Sequence, residues 1–158
     1  MRRFMAAGLA LVLLAGWGGA EDKPDGKKTN AEKLRGAWKV ASAKQTTGGD
    51  KNADILEYKG TVWTFGEKEF TVTRGKLETK FAYRIDPSKK PKQIDFGKDL
   101  AGKDENRPFE GIYTLEGDKL TICYTEFNVR PSDFSMGPGI AAVKCLVVLK
   151  REPAKEDK

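Results

Sequence analysis

The chain has 158 residues, 33% of them charged, with 29 Lys and Arg against 23 Asp and Glu and no histidine. That length suits one domain with a real core. The missing histidine removes the commonest general base, triad member and metal ligand, so chemistry that depends on an imidazole is excluded.

Arg2 and Arg3 precede an apolar run from Phe4 to Ala15, and Gly18-Gly19-Ala20 sets small residues before Glu21. This is the pattern of a cleaved secretory leader over residues 1–20. The run is too short for a transmembrane span, and no cysteine follows it to carry a lipid. A retained anchor helix is the alternative. The expectation is export to the periplasm or the extracellular space, with no transmembrane segment in the mature chain. Loss of Arg2 and Arg3 leaves that chain only mildly basic. Residues 21–29 and 153–158 are charged, lack apolar periodicity and read as flexible tails around a single domain over 30–152.

Thr29 or Asn30 can cap one helical turn, Ala31 to Leu34, with Gly36 ending it. Everything after it reads as strand: 37–43, 60–66, 68–74, 77–85, 92–97, 109–116, 118–125 and 143–150, rich in Val, Ile, Thr and aromatics. Leu77, Thr79, Phe81, Tyr83 and Ile85 alternate with Glu78, Lys80, Ala82 and Arg84 at period two. Tight-turn residues separate the segments at Gly66-Glu67-Lys68, Arg74-Gly75-Lys76 and Glu116-Gly117-Asp118. Asp86 to Pro91 breaks the run with two prolines. Long connections remain at 44–59 and 126–142. Eight sequential strands with short hairpins imply an all-β, up-and-down antiparallel barrel, which removes sheet edges by closing. A five-stranded OB-like barrel fits the strand count less well.

Cys123 and Cys145 are the only cysteines, and both fall in strands. A disulfide closing that loop would contribute roughly 3 kcal/mol, and export would permit it. Two buried thiols are the alternative, since register cannot be read from sequence.

The chain offers little catalytic chemistry. Ser42, Ser88, Ser132 and Ser135 stand in no nucleophile elbow or S-x-x-K arrangement. Thr47-Gly48-Gly49-Asp50 and Met136-Gly137-Pro138-Gly139 lack the Lys-Ser/Thr of a phosphate loop and read as turns. Asp99, Asp104 and Glu105, with Asn106, miss the calcium-loop pattern; solvated acids are the simpler reading and a weak calcium site the other. Arg74, Lys76, Lys80, Arg84, Lys89, Lys90 and Lys92 could track a polyanion. Period two, however, sends Phe81 and Tyr83 to the face opposite Lys80 and Arg84. A solvated basic face follows, with contact to anionic envelope components as the alternative and no nucleic-acid partner. No catalytic residue, metal or cofactor is expected, and the chain does not read as an enzyme.

Gly36-Ala37-Trp38 opens the first strand, and Leu146-Val147-Val148-Leu149-Lys150-Arg151 closes the last. The pair resembles the seal of a lipocalin-type barrel. The resemblance implies that Trp38 plugs the base with Gly36 beside it, while a cation from Lys150 or Arg151 packs over the indole. Between these ends stand Trp38-Lys39-Val40, Asp86-Pro87-Ser88-Lys89-Lys90-Pro91-Lys92-Gln93-Ile94-Asp95, Gly111-Ile112-Tyr113-Thr114-Leu115-Glu116-Gly117-Asp118, Arg130-Pro131-Ser132-Asp133-Phe134 and Val148-Leu149-Lys150-Arg151-Glu152. In this order they resemble a planctomycetal family of short exported proteins, itself similar to lipocalin-like domains. The resemblance covers about residues 33–152 and implies no catalytic residues.

An eight-stranded barrel is wide enough to be filled by side chains or to hold one small ligand. The expected function is therefore binding of a small apolar or amphipathic molecule. Tyr83, Tyr113 and Tyr124 are the candidate polar points in its cavity, and the connection 44–59 would lie over the mouth. Arg130 and Phe134 have two readings. Arg130 could present its guanidinium fork to a ligand, or the loop could fold over a barrel end with Phe134 as anchor and Arg130 paired to an acid. Trp63 and Phe65 read as core. The alternative function is a filled barrel acting through its surface loops.

Overall fold

Apolar alternation at period two gives each strand one face for a shared interior, and the chain closes that interior on itself. The computed structural model describes residues 28–47, 51–103, 107–125, 129–137 and 143–153. The leader over 1–20, Gly48, Gly49, Asp50, Asp104, Glu105, Asn106, Pro138 and Gly139 lie outside the described residues, as do most of the two tails. The strands are β1 (Gly36–Thr47), β2 (Lys51–Asp54), β3 (Val62–Phe65), β4 (Glu69–Arg74), β5 (Leu77–Asp86), β6 (Lys92–Gly97), β7 (Phe109–Glu116), β8 (Lys119–Thr125) and β9 (Lys144–Arg151). Strands β1 and β3 to β9 form a closed, eight-stranded, antiparallel up-and-down barrel, sealed by pairing of β1 with β9. Among the described residues no helix is long and apolar enough to cross a membrane.

The first long connection is not a simple loop. β1 runs to Thr47 and turns back as β2, pairing Lys44 with Asp54 and Thr47 with Lys51. A short 3-10 turn, Leu56–Tyr58, then leads into β3. β1 thus shares one edge between β3, at Gly36 to Lys39, and β2, at Lys44 to Thr47. A bulge between Val40 and Ser42 makes this workable. The extra residue shifts the side-chain alternation by one, so Trp38, Val40 and then Ala43 are buried.

Thr29 caps the helix α1 (Asn30–Leu34) through a reciprocal capping box with Glu32. α1 lies at the barrel end formed by the hairpin turns β3–β4, β5–β6 and β7–β8. Leu34 inserts there and is fully buried. The opposite end is bordered by the 3-10 turn, the β4–β5 turn and the two longer loops. Inside, β8 and β9 supply an aliphatic wall of Leu120, Ile122, Val147 and Leu149, and β3 to β6 an aromatic one.

Residues 129–137 run along the barrel's flank rather than over an end. Ile112 and Cys123 face outward, alternating with the interior residues Tyr113 and Ile122, yet are only 1% and 0% exposed. The strap over them is pinned on both sides. Thr125 Oγ1 donates to Val129 O at 2.7 Å, and Lys144 Nζ binds Asp133 Oδ1 at 3.1 Å. The proposed Cys123–Cys145 bridge is absent for a reason of register. Cys123 pairs with Leu146 and Tyr124 with Cys145, so the thiols point to opposite faces of adjacent strands and are not joined. Burial pushes the Cys123 thiol up to about 12, where little thiolate forms.

Candidate functional site

At the closed end, Trp38 is 0% exposed. It stands in register between Trp63 on one side and Arg151 on the other. Its Nε1 donates to Leu34 O at 2.7 Å, which ties the barrel floor to the end of α1. The Arg151 guanidinium carbon sits 4.0 Å from the indole centroid. The same fork donates to Arg35 O at 2.9 Å and to Lys33 O, the carbonyls that a short helix leaves without intrahelical partners. Gly36 fits this seat twice over. Its φ of 111° is a conformation that side chains disfavour, and an added Cβ would stand 3.3 Å from the guanidinium. Lys150 takes no part: it pairs across strands with Lys39 and Lys119 on the outer face and is exposed.

The other end is not filled. A cavity of about 270 Å³ opens between the 3-10 turn and the β4–β5 hairpin. Trp63, Phe70, Phe81, Phe96 and Phe109 form much of its wall, with Val72 and Thr79 between them and Tyr58 at the mouth. Its charged lining residues are Glu57 and Arg74, one of each sign and both exposed. Leu77 completes the rim and is 73% exposed. The size falls between the ~150 Å³ engineered cavity that admits benzene and the ~300–1,000 Å³ of drug-sized sites.

The five residues proposed for ligand contact do not come together. Tyr83 is buried toward the closed end and donates to Gly66 O at 2.8 Å. Tyr113 lies beside α1. Its hydroxyl is buried without a hydrogen-bond partner, and burial pushes its pKa up to about 12. Lys92 is drawn inward there, with Nζ 6.0 Å from the Tyr113 centroid and 3.1 Å from Asn30 Oδ1. Lys92 therefore leaves the solvated basic face that the sequence suggests. Tyr124 stands one layer behind the cavity, its hydroxyl 2.8 Å from that of Tyr58. Burial holds the Tyr124 hydroxyl well above its ordinary pKa, with the Tyr58 and Cys145 side chains adding to the effect.

Arg130 is spent on the fold. It donates to Asp95 Oδ1 at 2.6 Å and to Gly111 O at 2.6 Å, with Glu110 3.7 Å away. Asp95 also takes Arg84 at 2.9 Å. The strap is thus clasped to β6 and β7 by a charge-assisted fork, and Gly111 permits the close strand approach there, since a Cβ would fall 2.9 Å from Cys123 O. Phe134 lies half-buried in the same strap. Asp133 is held below the usual carboxylate range, first by the Ser135 hydroxyl and then by Lys144.

The residue that sequence reading passes over is Tyr58. It sits in a connection without periodicity, and its one signal is the cluster Ile55-Leu56-Glu57-Tyr58, apolar for a loop. Trp63, read as core, is indeed 2% exposed, yet it also lines the cavity. Its Nε1 is buried and has no hydrogen-bond partner. Among the described residues, no group of His, Cys, Asp or Glu is arranged to hold a metal. No family model, curated protein or solved structure matches the chain.

Proposed function

We propose that this protein is a lipocalin-like binding module for a small, largely apolar molecule, held without chemical change in the cavity at the open end. The supporting observation is that cavity: about 270 Å³, walled by aromatic rings, in a barrel whose other end is sealed. Burial of ligand apolar surface, at about 25 cal/mol per Å², supplies the driving force. Tyr58, joined to Tyr124, is an uncharged polar group in its lining. The proposal includes export, on the leader pattern of residues 1–20.

The test is an NMR titration of the folded chain with small neutral apolar compounds. Shift changes confined to Tyr58, Trp63, Leu77 and Phe81 are expected. Val72→Phe, which fills the cavity from its wall, should abolish them while the other resonances stay in place. Changes elsewhere, or none at all, would replace this reading with that of a barrel acting through its surface loops.

A further inference from the structure

The cavity wall has a geometry that goes beyond being apolar. Trp63 stacks on Phe70 at 5.2 Å and 19°, and Phe81 stacks on Phe70 at 5.3 Å and 21°, so these rings form one near-parallel stack with Phe70 at its centre. Phe96 stands across it, at 71° to Phe70 and 89° to Phe81. Tyr58 meets Trp63 edge-on at 79°. The wall is therefore built of rings in two orientations, a near-parallel stack and rings that cross it steeply.

Ring faces carry partial negative charge and ring edges partial positive charge. A planar aromatic guest can lay its negative face against the positive edges of one set of rings while its own edge meets the face of a ring in the other orientation. A saturated guest of the same size gains only dispersion and burial. Charge adds a second restriction. Glu57 and Arg74 stand exposed at the rim, and the rest of the lining carries no charge, so an ionised group carried inward against the rings would lose hydration without a partner there.

Resting on the binding reading above, the geometry points to neutral planar aromatic molecules, of about one or two rings, as the ligand class. The probes are benzyl alcohol, cyclohexylmethanol and benzoate, titrated against the cavity resonances. Cyclohexylmethanol is the more hydrophobic of the two alcohols, so burial alone favours it. Benzyl alcohol is nevertheless expected to bind about tenfold more tightly, ~1.4 kcal/mol, and benzoate more weakly than benzyl alcohol. Phe81→Leu, at a half-buried position, should bring the ratio of the two alcohols toward one. Equal or tighter binding of cyclohexylmethanol by the unsubstituted protein would overturn the aromatic assignment and leave the binding module standing. If neither alcohol moves the cavity resonances, the binding reading itself fails.

Discussion

Trp38 and Trp63 are cross-strand partners on the same interior face, yet they end in opposite situations. Trp38 has its Nε1 bonded to Leu34 O and a guanidinium on its ring. Trp63 has an unpartnered Nε1 and an empty volume against its neighbours. The closed end is satisfied in every polar valence that the indole offers; the open end keeps surface and a donor unspent. A buried donor left unpaired costs roughly 1–3 kcal/mol, which Trp38 avoids. Adjacent residues on one ladder thus divide the labour, one holding the barrel shut and the other walling the space where a guest fits.

The strongest break of this contrast is Trp38→Ala. Truncating a fully buried indole should cost roughly 3–5 kcal/mol, measured by denaturant unfolding, with affinity for benzyl alcohol nearly unchanged in the folded fraction. Loss of affinity at unchanged stability would move Trp38 into the ligand site. The same substitution at both positions then isolates the hydrogen bond. Trp38→Phe strands the Leu34 carbonyl, whereas Trp63→Phe removes a donor that had no partner. Trp38→Phe should therefore be the more destabilising by roughly 1–3 kcal/mol. Equal costs would mean that ring volume alone accounts for both.

Alkaline pH is where the two ends should agree. Burial raises Tyr83 and Tyr113 toward the closed end and Tyr124 toward the open end above the ordinary tyrosine pKa near 10. In the unfolded chain these hydroxyls ionise near pH 10, while in the fold they stay protonated to higher pH. The folded state then binds more protons, so stability is fully present below pH 10 and falls as pH rises through 10 toward 12. Urea midpoints between pH 8 and 12 test this. Absorbance at 295 nm should show Tyr83, Tyr113 and Tyr124 ionising late or only on unfolding; titration of these three near pH 10 in the folded protein would contradict it.

Much of this architecture is legible in the sequence because burial writes itself into alternation. β4 to β9 fall where Val, Ile, Thr and aromatics alternate, and Gly36-Ala37-Trp38 lies on the first of the strands. What escaped has a physical reason in each case. β2, Lys51–Asp54, is held by backbone pairing to β1 and has no apolar face to announce it. The bulge at Val40/Ser42 shifts the inward set by one residue without changing composition. Cys123 and Cys145 depend on the β8–β9 register, which no single strand encodes. The candidate site is less legible still. Trp63, Phe70 and Phe81 look like core residues, and only the omission of atoms between them makes a cavity.

The smallest expected effect bears on which cation seals the base. Arg151 and Lys150 are neighbours with the same charge, and electrostatics at long range would treat them alike. Geometry does not. Arg151 reaches the indole and two helix-end carbonyls with one planar fork, while its ion pair to Asp118 is mostly solvated and adds little. Arg151→Lys keeps the charge and loses the fork, so it should cost about 1–3 kcal/mol through hydrogen bonds to a charged group. Lys150→Ala removes a charge from the outer face and should change stability by no more than ~0.5 kcal/mol. Similar small losses from both would make the seal a matter of net charge; a clear gap assigns it to the shape of one guanidinium resting on one indole.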